Sequence, residues 1–473
     1  MSGDRPDEQG SGAGEWRSRA GERGDGPGSG AGGPGERGDR LGEGGSGLGS
    51  GAGGFASDVA DPGLAESGLA RIAWAERAMP VIGLLRQEYA RSRPFEGRSI
   101  AACLHITAET AVLVGLLTAA GGRVHLAASN PLSTQDDIAA ALASRPEVSV
   151  NAKSGVDRET YYAHLHRALD GAPDLLVDDG GDLVNTLHAE RPELLPGVAG
   201  GCESTSTGVA RLRRMAAAGT LAFPVVAADA SVTRRMFDNG YGTGQSVIDG
   251  LFRATNILLA GKTVVVAGYG SCGSAIAGRA AGLGAQVIVT EVDPVRALDA
   301  IMCGYRVLPM ADAAPAGDVF ITATGSRDVI TVPHLEVMRD GAVLANAGHF
   351  DVEIDVRALA DLAVEVNRGV RPHADEYVLD TGRRLILLAE GRVVNLIAAE
   401  GNPAAVMDLS FAAQALALTW LISGGTGLAA GVHPMPAAID AQVARLTLAA
   451  AGARIDELTS AQQEYLASWQ QGS

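Results

Sequence analysis

The run TVVVA at residues 263–267, followed by GYGSCG at 268–273 and an alanine-rich stretch, constrains the fold more than any other feature. A short β-branched strand, a glycine-punctuated turn and a helix form the opening of a dinucleotide-binding βαβ unit. Each glycine has its own task. Gly268 permits the tight turn, Gly270 lets a pyrophosphate approach the backbone, and Gly273 brings the helix against the strand. A second strand is expected at 286–290, and Glu291 closes it. A carboxylate there accepts both ribose hydroxyls of NAD and repels the extra phosphate of NADP, so the cofactor expected is NAD. Arg296 is too far along to reverse that preference.

Elsewhere the pattern also alternates. A helix is expected over 68–89, a strand at 99–104, a helix at 109–120, and strands at 123–127, 147–151 and 175–178. Such alternation predicts parallel α/β architecture. A final amphipathic helix with a short extension is expected over 440–466. Residues 1–56 are Gly, Ser, Arg, Asp and Glu with few aliphatics, the composition of a disordered tail.

The formal charge of −17 leaves no basic face for nucleic acid. No apolar run is read as reaching the roughly 18–20 residues that span a bilayer, and no signal-peptide core opens the chain. Four cysteines without CxxC or metal-ligand spacing point to reduced thiols, a cytoplasmic location and no metal site.

Further motifs are long and ordered: CLHITAET at 103–110, SNPLSTQD at 129–136, DDGGD at 178–182, DASVTRRMFDN at 229–239, NAGHFD at 346–351 and LAEGRVVN at 388–395. With residues 241–256 they make roughly residues 57–470 resemble the S-adenosylhomocysteine hydrolases. The resemblance implies a substrate-binding α/β domain at 57–238 completed by 401–439. It implies a Rossmann NAD-binding domain at 239–400 and a shortened C-terminal oligomerisation segment at 440–473, assembled as a homotetramer. It also implies a chemistry, in which NAD oxidises the 3′-hydroxyl of an adenine nucleoside. The neighbouring 4′ C–H becomes acidic, the 5′ substituent leaves, water adds and the ketone is reduced again.

By the same resemblance, His105 handles protons at the 5′ leaving group, Asp179 lies beside it and His349 sits on a gating loop. Asp238 contacts the sugar and Asn239 lies beside the nicotinamide. Thr107 and Glu109 read adenine, and Asn130 is placed with the substrate. Thr205, Ser206, Thr207, Thr324, Asn346 and Asn395 line the cofactor.

Four positions depart from the family pattern. Arg234 stands for a lysine, Ser204 for a glutamate, Asp229 for an asparagine and Asn402 for a histidine. Guanidinium does not give up its proton as a desolvated lysine can, so Arg234 stabilises negative charge but cannot act as a base. Adenine readers are kept while the sugar shell is rebuilt. The reaction expected is therefore elimination of water to a 4′,5′-unsaturated nucleoside, on an adenine nucleoside with an altered sugar. Paralogues in nucleoside-antibiotic pathways of the angustmycin type, acting on ketohexose adenine nucleosides, fit that pattern. The alternatives are ordinary S-adenosylhomocysteine hydrolysis and a non-catalytic NAD-binding regulator.

Overall fold

The computed structural model describes residues 56–424 and 427–469, so the tail expected over 1–56 lies outside the described residues except for its last position. The first seven strands are β1 (Asp58–Val59), β2 (Ser99–Leu104), β3 (Arg123–Ala128), β4 (Val148–Ala152), β5 (Leu175–Asp178), β6 (Gly200–Glu203) and β7 (Pro224–Ala227). Eight follow in a second sheet: β8 (Thr263–Ala267), β9 (Gln286–Thr290), β10 (Arg306–Val307), β11 (Val319–Thr322), β12 (Ala342–Asn346), β13 (Ala363–Arg371), β14 (Ala374–Leu379) and β15 (Arg384–Leu388). The chain then returns, and β16 (Gly431–Pro434) pairs in parallel with β7.

The first sheet is wholly parallel in the order β1-β4-β3-β2-β5-β6-β7-β16. Helices cover both faces, which is why β2 and β4 are buried at every position instead of alternating. The second sheet runs β10-β9-β8-β11-β12-β15-β14-β13, with β14 antiparallel to both neighbours. Strand order reverses between β2 and β5 in one sheet and between β8 and β11 in the other. Open α/β sheets bind ligands at the carboxyl ends of strands beside such reversals.

The α/β class with a Rossmann-type second sheet is as the sequence predicts, with three departures. The helix expected over 68–89 is two helices, Ala65–Glu76 and Pro80–Ser92. Pro80 cannot donate to the preceding turn, and Met79 before it leaves the α region at φ −123°, ψ 59°. The C-terminal stretch is likewise two helices, Ala437–Ala450 and Ser460–Ala467. Finally, one helix, Ala404–Ser423, is long and apolar enough to cross a membrane by length and composition, which corrects the reading of the apolar runs. Its Leu409, Phe411, Ala415 and Leu418 are buried in the core under the first sheet, so it is accounted for as a core helix.

Candidate active site

The carboxyl ends of β2, β5, β6 and β7, the start of the long helix and a loop after β12 converge on one cavity. All five residues expected to be catalytic line it: His105, Asp179, Arg234, Asp238 and His349. Thr107, Glu109, Ser204 and Asn402 line it from the substrate group, and Thr205, Ser206, Thr207, Asn239 and Asn395 from the cofactor group.

His105 follows β2 directly. Its carbonyl accepts from Thr110 Oγ1 at 2.6 Å, and Thr107 caps the helix Ala108–Ala119, which fixes the backbone on both sides. The ring Nδ1 lies 2.7 Å from Ser133 Oγ, and Ser133 Oγ donates to the Asn130 carbonyl at 3.0 Å. A hydroxyl has one proton to give, so Ser133 accepts from His105 Nδ1–H and leaves Nε2 as the free lone pair. Burial, with the nearby Arg234 cation, pushes the His105 pKa down to about 4. The His349 ring centroid is 5.8 Å away, and burial and His105 push its pKa down to about 4 as well. Both imidazoles are therefore neutral at pH 7.

Asp179 follows β5, and its N–H donates to the Cys103 carbonyl at 2.9 Å. Ser204 donates its hydroxyl to the Asp179 carboxylate. Burial nevertheless raises the Asp179 pKa above the usual carboxylate range. Behind it, burial pushes Asp178 up to about 7. Glu203 does not face the cavity: its Oε1 accepts from Gly180 N–H and from Thr205 N–H and Oγ1, at 3.0, 2.7 and 2.7 Å. Burial holds it well above its ordinary value.

Arg234 opens a π-helix, Arg234–Thr243, a geometry that is rare overall and recurs at functional sites. Its side chain is only 16% exposed, and Nε lies 3.7 Å from Asp238 Oδ2. Burial works to lower its pKa, but Asp238, Asp179, Glu203 and Asp229 outweigh that and raise it. The group is a fixed cation, and its Nη1 is buried without a partner. Asp238 also accepts from Ser410 Oγ at 2.8 Å and from the Asn402 amide.

The segment before Arg234 is held from far away. Asp440, in the first turn of the helix Ala437–Ala450, accepts from Ser231 Oγ (2.6 Å), Val232 N–H (2.9 Å), Thr233 N–H (3.2 Å) and Thr233 Oγ1 (2.6 Å). Burial works to raise the Asp440 pKa, and these donors outweigh it and lower it. Asp440→Asn cannot satisfy all four donors. A roughly tenfold fall in kcat with a smaller change in KM is expected, the scale of a catalytic group displaced by a fraction of an ångström. Steady-state kinetics checks it, and an unchanged kcat would contradict it.

The glycine-rich turn follows β8 and reaches the cavity lining through Cys272, while its three glycines lie beyond it. Gly268 has φ +92°, and a Cβ on Gly273 would stand 1.9 Å from the Gly268 carbonyl oxygen. At Gly270 the nearest atom to such a Cβ is the Arg296 guanidinium at 3.5 Å, which leaves room for phosphates at the start of the helix Ser271–Gly282. Glu291 accepts from the N–H groups of Tyr269, Val292 and Asp293 at 2.7, 2.6 and 3.0 Å. Burial works to raise its pKa, and those donors outweigh it and lower it, so it is ionised. On the cavity side, Asn395 Oδ1 is buried without a partner. An open glycine cradle, an ionised carboxylate at the next strand and an orphaned amide oxygen are what a dinucleotide with ribose hydroxyls and a carboxamide would engage.

Four expected residues are placed differently from the rest. Asn130 Oδ1 accepts from Leu132 N–H at 2.9 Å, capping the turn Pro131–Ser133, so it reaches the cavity only through Ser133 and His105. Asp229 stands in the turn Ala228–Ala230 with a buried, unpartnered Oδ1 outside the lining. Asn346 spends its amide on the carbonyls of Gly348, Phe350 and Gly391, which braces the loop carrying His349. Thr324 gives its hydroxyl and N–H to Glu353, at 2.6 and 2.9 Å. Ser133 and Ser246 lie within motif segments and Glu353, Ser410 and Asp440 outside them, and none stands out in the sequence because each acts through a neighbour.

The chain matches the S-adenosyl-L-homocysteine hydrolase family over residues 56–196 and the NAD binding domain of the same family over residues 239–401. It is 55% identical over 416 residues to an adenosylhomocysteinase of Aquifex aeolicus, covering 88% of this chain and 99% of that one. An adenosylhomocysteinase of Thermococcus kodakarensis is 53% identical over 415 residues, covering 88% and 98%. An S-inosyl-L-homocysteine hydrolase of Methanosarcina acetivorans is 51% identical over 411 residues, covering 87% and 99%.

Proposed function

The chain belongs to the S-adenosyl-L-homocysteine hydrolase family and is an NAD-dependent enzyme, and from that premise we propose that it eliminates water from the 5′ carbon of an adenine nucleoside whose sugar differs from plain ribose. In this reading 57–238 with 401–439 hold the nucleoside, and 239–400 hold the cofactor.

The observation that carries this reading is the sugar side of the cavity. A fixed cation, Arg234, pairs with Asp238 where the family pattern has a lysine. Ser204 spends its hydroxyl on Asp179 where that pattern has a glutamate. The serine vacates room for an added sugar substituent such as a hydroxymethyl group. Thr107 and Glu109 remain in the cavity to take adenine, a carboxylate accepting the exocyclic amine.

Bound NAD supplies reversible hydride transfer at the 3′ carbon, so the net reaction needs no external oxidant. Gly268, Gly270, Gly273 and Glu291 hold its adenosine and phosphate end, and Asn239 and Asn395 its nicotinamide end. With Arg234 unable to act as a base, His105 Nε2, neutral and unprotonated, takes the 4′ proton in place of the leaving-group role that the resemblance implies. Arg234 stabilises negative charge on the sugar oxygen. Hydroxide is a poor leaving group and must depart as water. Asp179, whose pKa burial raises, is the group assigned to deliver that proton as the 5′ C–O bond breaks. The product is the 4′,5′-alkene plus one water.

Relatives named adenosylhomocysteinase at 53–55% identity favour a second reading, in which the 5′ leaving group is the homocysteine thiolate and water adds back. Incubation of the NAD-loaded protein with S-adenosylhomocysteine, adenosine and hydroxymethyl-bearing adenine nucleosides separates the two. Mass spectrometry is expected to find loss of one water from a hydroxymethyl-bearing nucleoside. Adenosine and homocysteine as the main products would replace the first reading with the second.

A further inference from the structure

A continuous hydrogen-bonded chain joins the sugar side of the cavity to the cofactor side, and its direction is set at one end. Asp238, paired with the Arg234 cation, only accepts. It takes Ser410 Oγ on one oxygen and the Asn402 amide on the other. Asn402 must therefore present Nδ2 to Asp238, with Thr243 Oγ1 as a second acceptor at 3.3 Å, and turn Oδ1 away. Ser246 Oγ donates to that Oδ1 at 2.7 Å, far closer than its other acceptor, the Thr243 carbonyl at 3.4 Å. Having given its only proton, Ser246 accepts from Asn395 Nδ2 at 3.1 Å.

The amide of Asn395 is thereby forced into one orientation. Its Oδ1, buried, without a protein partner and on a residue that lines the cavity, is left as an acceptor for a ligand donor. The donor that suits a lone buried amide oxygen on this side is a primary-amide N–H, such as the carboxamide of a nicotinamide dinucleotide.

We propose that Ser246 and Asn402 are positioning residues, a relay that carries hydrogen-bond polarity from Asp238 to Asn395 and so couples the sugar-side ion pair to recognition of the cofactor's carboxamide. The inference rests on the reading that Asn395 meets the bound cofactor. Asn402 is one of the four departures from the family pattern, so the relay belongs to the rebuilt sugar shell of this chain.

The test is binding rather than turnover. Dissociation constants are measured by calorimetry for NAD and for its 3-acetylpyridine analogue, in which a methyl ketone replaces the carboxamide and removes the N–H donor. The full-length protein, freed of nucleotide, is compared with Ser246→Ala and Asn402→Ala. The parent protein is expected to prefer NAD by roughly tenfold, the scale of one buried hydrogen bond partner lost, and each variant by about twofold or less. If one variant fails to fold, the other decides. Failure of the parent to bind either dinucleotide would strike at the cofactor reading itself. A parent that binds both equally, or variants that keep the parent's preference, would overturn the relay while leaving that reading intact.

Discussion

Arg234→Met is expected to lower turnover of the enzyme's nucleoside by roughly 10³-fold and to lower thermal stability as well. Methionine approximates the length of the arginine stem but removes the cation that faces four acidic groups. Asp238 would then lie buried with no opposite charge, and Asp179, Glu203 and Asp229 would lose the guanidinium that offsets them. Removing one member of a buried ion pair typically costs about 3–5 kcal/mol. That is the stability cost; separately, removing one group that stabilises developing negative charge typically costs roughly 10² to 10³ in rate. Single-turnover kinetics on the nucleoside that the protein is found to turn over, with thermal melting alongside, measures both effects. A rate within about threefold of the parent would show that Arg234 is structural only, since general electrostatic stabilisers rarely cost so little. Arg234→Lys keeps the charge but restores a group that can lose its proton. If hydrolysis of S-adenosylhomocysteine does not rise in that variant, Arg234 is not what separates this chain from its relatives.

The contrast between Arg234 and Asp440 shows what a sequence exposes. Arg234 is legible because it breaks a motif at its centre. Asp440 makes four hydrogen bonds to the same segment, yet 209 positions separate it from Ser231. No local period or spacing points to such a pair. The strands at 99–104, 175–178, 263–267 and 286–290 were legible to the residue, since continuous apolar runs bounded by turn residues are what parallel strands require. The hairpins over 363–388 were not, because the burial of β13 is mixed and a long exposed strand does not stand out from a loop. Asn346 illustrates a different limit. Motif order places it beside the cofactor, but whether an amide faces a ligand or braces its own loop depends on three carbonyls brought near by folding. Tautomers are equally invisible: only Ser133, held by Asn130, determines which nitrogen of His105 is free.

That free nitrogen carries the second large effect. His105→Ala is expected to reduce kcat by about 10²–10⁴, the usual contribution of a general base. The pH dependence distinguishes a base from a merely packed ring. Both His105 and His349 titrate near 4 in the folded protein, against 6.5 for the free side chain, and two neighbouring imidazoles titrate as a pair. The base form is therefore complete at pH 7, and activity should stay level until the pH approaches 5, then fall with a midpoint near 4. Stability moves in the same direction. Between 6.5 and 4 the unfolded chain takes up protons on these histidines while the folded chain does not, so stability is fully present above 6.5 and drains as the pH falls toward 4. His105→Ala removes one of those uptake sites, so its melting temperature should depend less steeply on pH across that window than the parent's. An activity limb centred near 6.5 in the parent would mean that His105 is solvated and unshifted, and would remove it as the buried base on which the proposed elimination depends.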